Sequence, residues 1–217
     1  MNKIDYRKRY HPFYSPPSDD VQRVTIPTMQ FAMIDGKGSP EGPEQSPEFQ
    51  NAIGALYGIT YVLKIGRKKA GIKPDYTIAP LEGLWWMSDG STFDTERTAD
   101  WRWTLMIFQP EFITPGEFKE AVAKLKLRRP DAALDNLRLE TFNEGDIVQT
   151  MHIGPYAEER KSIQRLQEYA ASHGYKLSGK HHEIYLGDPR RTVPEKLRTI
   201  LRRPVASIAA PMPTQAA

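Results

Sequence analysis

Two short segments of the chain place a carboxylate at the start of an apolar, aromatic run: Pro80-Leu-Glu-Gly-Leu-Trp-Trp and His182-Glu-Ile-Tyr-Leu. In an extended chain successive side chains alternate between faces. Glu82, Leu84 and Trp86 therefore share one face and Leu81, Gly83 and Trp85 the other, while Glu183 and Tyr185 stand together opposite Ile184 and Leu186. Each segment pairs a Glu with an aromatic ring. A carboxylate held among rings and away from water is costly unless an opposite charge compensates it. A bound organic cation would do so, and Trp and Tyr faces would add roughly 0.5 to 2 kcal/mol of cation–π attraction. The competing reading for either Glu is an ion pair with a Lys or Arg, or a strand start facing solvent.

Other chemistry-bearing patterns are weak. His11, His152, His173, His181 and His182 form no metal-ligand spacing such as H-E-x-x-H. The adjacent His181 and His182 point to opposite faces if extended, and His152 beside Gly154-Pro155 reads as a structural turn histidine. The chain has no cysteine, which excludes disulfides, thiolate metal sites and thiol nucleophiles. No G-x-S-x-G, phosphate loop or dinucleotide fingerprint occurs, so we expect neither metal nor other cofactor. Thirty Lys and Arg oppose 27 Asp and Glu, a net charge of +3. The basic residues gather in short tracts at 7–9, 67–69, 124–129 and 196–203, which suit solvated faces better than a nucleic-acid stripe. Tyr6, Tyr10, Phe13 and Tyr14 interleave with Arg7, Lys8, Arg9 and His11. Single-stranded nucleic acid could use that pattern, but an N-terminal arm packed on the domain accounts for it more simply.

The elements that must position the two Glu–aromatic segments can be read along the chain. Pro12, Pro16 and Pro17 make residues 1–19 an irregular lead-in. Alternating β-branched and apolar residues predict strands at 21–26 and 29–34, joined near Pro27. A Gly- and Pro-rich loop over 36–47 follows. Ser46 as N-cap and Pro47 at the first helical position then open a helix that keeps Phe49, Ile53, Leu56, Tyr57 and Val62 on helical spacing to about Arg67. Residues 76–87 and 101–109 read as a hairpin with a long tip over 88–100. Thr114, Pro115 and Glu117 announce a helix that Pro130 ends. The second half repeats the plan: strands at 137–142 and 147–153, and a helix at about 157–173 with Ile163, Leu166, Tyr169 and Ala170 on its stripe, closed by Gly174. Strands at 175–177 and 183–186, a short helix near Pro194 and a last strand to about Val205 complete it, and the Ala- and Pro-rich tail at 206–217 is expected to be disordered. The predicted class is α+β: a pseudo-two-fold pair of strand-helix-strand-strand units, about 20–130 and 131–205, sharing an antiparallel sheet with a ligand pocket where they meet. Met1 to Tyr10 has no signal-peptide character, and no window approaches the roughly 20 apolar residues of a membrane span. A cytoplasmic address, with no membrane partner, fits this composition best.

On this layout a family resemblance becomes specific. His152-Ile-Gly-Pro-Tyr, the helix after it, and Glu183-Ile-Tyr-Leu-x-Asp-Pro up to Leu197-Arg-Thr and Arg203-Pro-Val resemble the second half of a GyrI-like small-molecule-binding domain. Residues 49–63 and Pro80-Leu-Glu-Gly-Leu-Trp-Trp resemble the first half of its stand-alone members. The resemblance spans about 20–205 and implies that Glu183 lies at the floor of a ligand pocket. The chain is also similar to the cyclopropanoid cyclopropyl hydrolases, members with an aromatic cage that open cyclopropane-bearing DNA-alkylating compounds. That similarity implies Trp85, Trp86, Tyr156 and Tyr185 as cage residues, with Phe108 and Trp103 behind them; the strand pattern adds Glu82 as a second candidate ligand contact, and Glu183 is the candidate catalytic group. It leaves binding and catalysis both open. Two readings of another class stand beside it: a protein that inhibits DNA gyrase, and a ligand sensor acting with a separate transcription partner. No direct nucleic-acid contact is expected, since no helix-turn-helix precedes residue 20, and the oligomeric state is left open.

Overall fold

Where apolar residues alternate, strands form. The computed structural model of the chain describes residues 3–40, 46–129 and 133–208; Pro130, the middle of the expected 36–47 loop and the expected tail beyond Ile208 lie outside them. In chain order the elements are α1 (Tyr6–Arg9), α2 (His11–Tyr14), β1 (Gln22–Ile26), β2 (Met29–Lys37), α3 (Pro47–Lys69), β3 (Leu81–Met87), β4 (Trp101–Phe108), α4 (Pro115–Arg128), β5 (Arg138–Phe142), β6 (Gly145–Ile153), α5 (Arg160–Ser172), β7 (Tyr175–Leu177), β8 (His181–Tyr185) and β9 (Arg198–Ser207). The fold is α+β. One antiparallel sheet runs β1-β6-β9-β8-β3-β4-β2-β5, with β7 paired to β9.

The order has an internal symmetry. Reading outward from the centre gives β3-β4-β2 on one side and β8-β9-β6 on the other, so the units β2-α3-β3-β4 and β6-α5-β8-β9 correspond and meet along the β3–β8 pair. Outside them the leading strands are exchanged: β1 pairs with β6 of the second unit, and β5 with β2 of the first. The segments on either side of Pro27 thus become strands in opposite halves of the sheet, β1 at one edge and β2 next to the other.

The helices follow local chemistry. In α3 the buried Phe49, Ala52, Ala55, Leu56, Ile59 and Leu63 recur at helical spacing and face the sheet. Its Gly58 permits close packing on α4, since a Cβ there would lie 3.1 Å from Leu125. Thr114 and Glu117 form the expected capping box at the start of α4. A single 3-10 turn at Tyr156–Glu158 precedes α5, so this helix starts a little later than its apolar pattern suggested, and Gly174 follows it at φ +74°, a backbone state that glycine adopts freely.

Helices α3 and α5 cover the same face of the sheet. Phe49 of α3 packs on Trp85 and Trp103, and Leu166 of α5 on Val148 and Leu201. The opposite face is closed by the N-terminal arm. Where the sequence suggested an irregular lead-in, Asp5 caps α1, Tyr6 sits 4.8 Å from Phe108, and Tyr14 joins Met151, Ile184 and Ile200 in a small apolar cluster. Backbone carbonyls of Pro12 and Phe13 accept hydrogen bonds from Gln149 and Arg202. None of the helices among the described residues is long and apolar enough to cross a membrane.

Candidate functional site

The register across the central strands decides which side chains meet. Gly83 lies opposite Glu183, Trp85 opposite His181 and Leu81 opposite Tyr185. Alternation then puts His181, Glu183, Tyr185, Gly83 and Trp85 on the helix-covered face, and Glu82, Leu84, Trp86, His182 and Ile184 on the face under the arm. The two acidic segments, alike in sequence, present their Glu side chains to opposite sides of one sheet.

On the helical side, the Glu183 side chain is 13% exposed. Its Oε2 accepts a 2.6 Å hydrogen bond from the Tyr185 hydroxyl, which in turn accepts one from the Trp85 indole N–H at 3.2 Å. Its Oε1 lies 3.1 Å from His181 Nε2; an ionised carboxylate only accepts, so that nitrogen carries the proton. Burial, and then the neighbouring Glu183, hold the Tyr185 phenol well above its usual pKa, so it stays a donor. Gly83 makes this arrangement possible, since a Cβ there would fall 2.9 Å from Trp85 Nε1 and 3.1 Å from the Tyr185 hydroxyl.

Rings wall this triad. Tyr156 meets Tyr185 edge-on at 5.9 Å. Phe93, from the 88–100 tip, stacks on His181 at 5.0 Å with planes 9° apart and lies 5.3 Å from Trp101. Trp101 packs against Trp85 at 5.5 Å, and Phe49 covers Trp85 from α3 at 5.9 Å. Glu159, just before α5, brings a carboxylate oxygen within 4.8 Å of ligand atoms on His181 and Glu183. A metal ion could use that spacing, and so could a water or a cationic group held between two carboxylates. Both Glu183 oxygens already take part in hydrogen bonds.

The other side is organised as a sealed polar chain. Glu82, 0% exposed, accepts from Tyr14 of the arm at 2.9 Å and from His182 Nε2 at 3.0 Å. His182 Nδ1 reaches Glu144 at 2.8 Å, and Arg202 joins Glu144 at 3.4 Å and Gln149 at 2.8 Å. With a carboxylate on each nitrogen, His182 donates from both and is an imidazolium. Burial alone would lower its pKa, but Glu144 and Glu82 outweigh that and push it up to about 9. Burial likewise works to raise Glu144, yet His182 and Arg202 hold it below the usual carboxylate range.

Of the residues singled out from sequence, Glu183, Tyr185, Trp85 and Tyr156 are brought together. Trp103 shares their face one strand over, fully buried beneath Phe49 and laid across Gly36. Glu82, Trp86 and Phe108 lie on the far side: Glu82 in the sealed chain, Trp86 under the Lys180 ammonium at 3.4 Å, and Phe108 against Tyr6 and Tyr10. Sequence reasoning passed over His181, Phe93, Trp101 and Glu159. His181 was within reach, being two residues before Glu183 on the same strand; the others depend on how a tip and a turn fold back.

A family model described as a GyrI-like small molecule binding domain matches residues 19–206. Among solved structures, an uncharacterized conserved protein from Listeria innocua is 37% identical, with a TM-score of 0.85 over 94% of this chain and 100% of that one. Two structures described as a hydrolase from Listeria innocua are each 36% identical, with TM-scores of 0.80 and 0.82, again over 94% of this chain and 100% of theirs. No curated protein matches the chain.

Proposed function

Because the chain belongs to the GyrI-like small-molecule-binding domain family, we propose that it binds apolar, cationic or electrophilic compounds on the Glu183 face and hydrolyses those that carry an activated strained ring. The observation that carries this reading is the Glu183 carboxylate itself. It is nearly buried among Trp85, Tyr156, Tyr185 and Phe93, and its partners are a phenol and an imidazole, with no Lys or Arg among the described residues paired to it. A carboxylate in that setting is costly to hold without an opposite charge, and a cationic ligand is the partner that would compensate it. Support for turnover comes from the hydrolase of Listeria innocua, which is 36% identical over the length of that chain.

In a cyclopropane conjugated to a dienone, Glu183 takes a proton from water as the water oxygen bonds to a ring carbon. The strained C–C bond breaks and its electron pair enters the dienone. Glu183 gives that proton up to solvent while the former carbonyl oxygen takes one from solvent and becomes a phenol, so the sum is addition of one water. Tyr185 and His181 fix the two carboxylate oxygens, and the rings exclude bulk solvent and offer π-faces to charge developing at carbon.

Incubation with a cyclopropyl dienone, followed by mass spectrometry, tests this. The expected result is a water adduct with the native protein and none above background with Glu183→Gln. Tight binding without an adduct would reduce the function to sequestration. Undiminished inhibition of DNA gyrase by Glu183→Gln, with no compound bound, would replace it by the protein-interaction reading.

A further inference from the structure

Two neighbouring arginines of β9 are both buried, and the fold treats them in opposite ways. Arg202 points to the arm side and is satisfied by Gln149, Glu144 and the Phe13 carbonyl. Arg203, one residue on, is turned by strand alternation to the face of His181 and Glu183. It lies just past the rung that pairs His182 with Arg202, and it pairs with Val148 on its other side. It is 7% exposed. Among the described residues no ion pair or hydrogen bond engages it, and its Nε is buried without a partner. Burial, unopposed by any carboxylate, lowers its pKa.

A guanidinium this far buried is ordinarily paired, because burial removes much of its hydration; at Arg203 it is the Nε that has lost water without gaining a partner. Other buried polar atoms on this face, Trp103 Nε1 among them, also lack partners; His181 Nδ1 and Thr199 Oγ1 are those on β8 and β9, and Thr199 stands opposite Tyr185. The unpartnered groups therefore flank Glu183 along β8 and β9, while the far side of the same strands is hydrogen-bonded throughout its Glu82–Arg202 chain.

We propose that Arg203 donates hydrogen bonds to a carbonyl or anionic oxygen of the compound bound on the Glu183 face. The inference rests on the reading of this face as the ligand site. It gives the site two poles: a carboxylate for the electrophilic or cationic part of the ligand, and a planar cation for the oxygen on which negative charge collects as the ring opens.

Benzophenone and diphenylmethane, which differ only in the carbonyl, separate the possibilities when their affinities are measured by calorimetry. The native protein is expected to prefer benzophenone by about tenfold or more, the worth of a hydrogen bond from a charged donor. Arg203→Met should erase the preference by weakening benzophenone alone. Should that variant fail to fold, Arg203→Lys decides: it keeps the charge without the planar fork, and its preference should fall. Equal affinities in the native protein, equal weakening of both compounds by Arg203→Met, or full preference in Arg203→Lys would overturn the role of Arg203. If both compounds bind without preference and Trp85→Ala abolishes that binding, the site stands and only Arg203 falls. Binding that Trp85→Ala leaves untouched would remove the site itself.

Discussion

Glu82 and Glu183 show how much a single residue's neighbours decide. Their local sequences are alike, and period-two alternation correctly sorted each strand into its two faces. What alternation cannot supply is the register between strands. Because Gly83, not Glu82, stands opposite Glu183, one carboxylate enters the aromatic face and the other is sealed beneath Tyr14 and His182. Gly83 is therefore a sharp test: Gly83→Ala should displace the Trp85 and Tyr185 side chains, cost roughly 1 to 3 kcal/mol by overpacking, and weaken compound binding along with a change in tryptophan fluorescence. Unchanged binding and fluorescence would mean that the Trp85–Tyr185–Glu183 chain does not shape the site. Tyr14→Phe separates the two sides in the other direction. It removes a buried donor to Glu82 and should cost roughly 1 to 3 kcal/mol in urea unfolding, with compound affinity unaltered.

At the level of elements, the strands, α3 and the α4 capping box were legible because each has a local cause: alternating apolar residues, a Pro at the first helical position, and Thr114 with Glu117. The exchange of β1 and β5 was not, since pairing partners far apart in sequence leave no local trace. The interleaved rings and basic residues of the arm suit packing on the domain, but its two short helices and its closure of the sealed polar chain depend on contacts from Phe108 to Arg202. The 88–100 tip is the element whose role only the structure reveals. Exposed ion pairs of Arg97 with Asp89 and Asp100 shape it, and it delivers Phe93 onto His181 and Trp101. Exposed pairs of that kind add little stability, so the tip matters through the ring it carries. Phe93→Ala should leave the melting temperature nearly unchanged yet weaken compound binding several-fold, as expected from losing an aromatic contact worth about 1 kcal/mol. Equilibrium dye titration checks this; an unaltered affinity would place Phe93 outside the site.

For the whole molecule, one sheet separates two kinds of buried polar chemistry: an aromatic face on which buried polar atoms lack partners among the described residues, and a buttress whose charges are matched internally. The buttress gives a pH signature. His182 has its pKa raised to about 9 in the folded protein, against about 6.5 in an unfolded chain. The folded state thus holds a proton that the unfolded state has lost between those values, and its contribution to stability, complete below about pH 6.5, fades as pH rises through 9. Unfolding free energy should fall across that window, and proton NMR of the His182 ring should show it charged at neutral pH. A flat profile would contradict the imidazolium bridge. The account as a whole depends on the Glu183 carboxylate meeting the ligand, and the dissociation constant of a lipophilic cationic dye such as rhodamine 6G, compared between the native protein and Glu183→Gln at equal melting temperature, tests that most directly. The predicted result is a loss of about tenfold or more, as for truncation of a desolvated charge pair; equal affinity in the two proteins would contradict it.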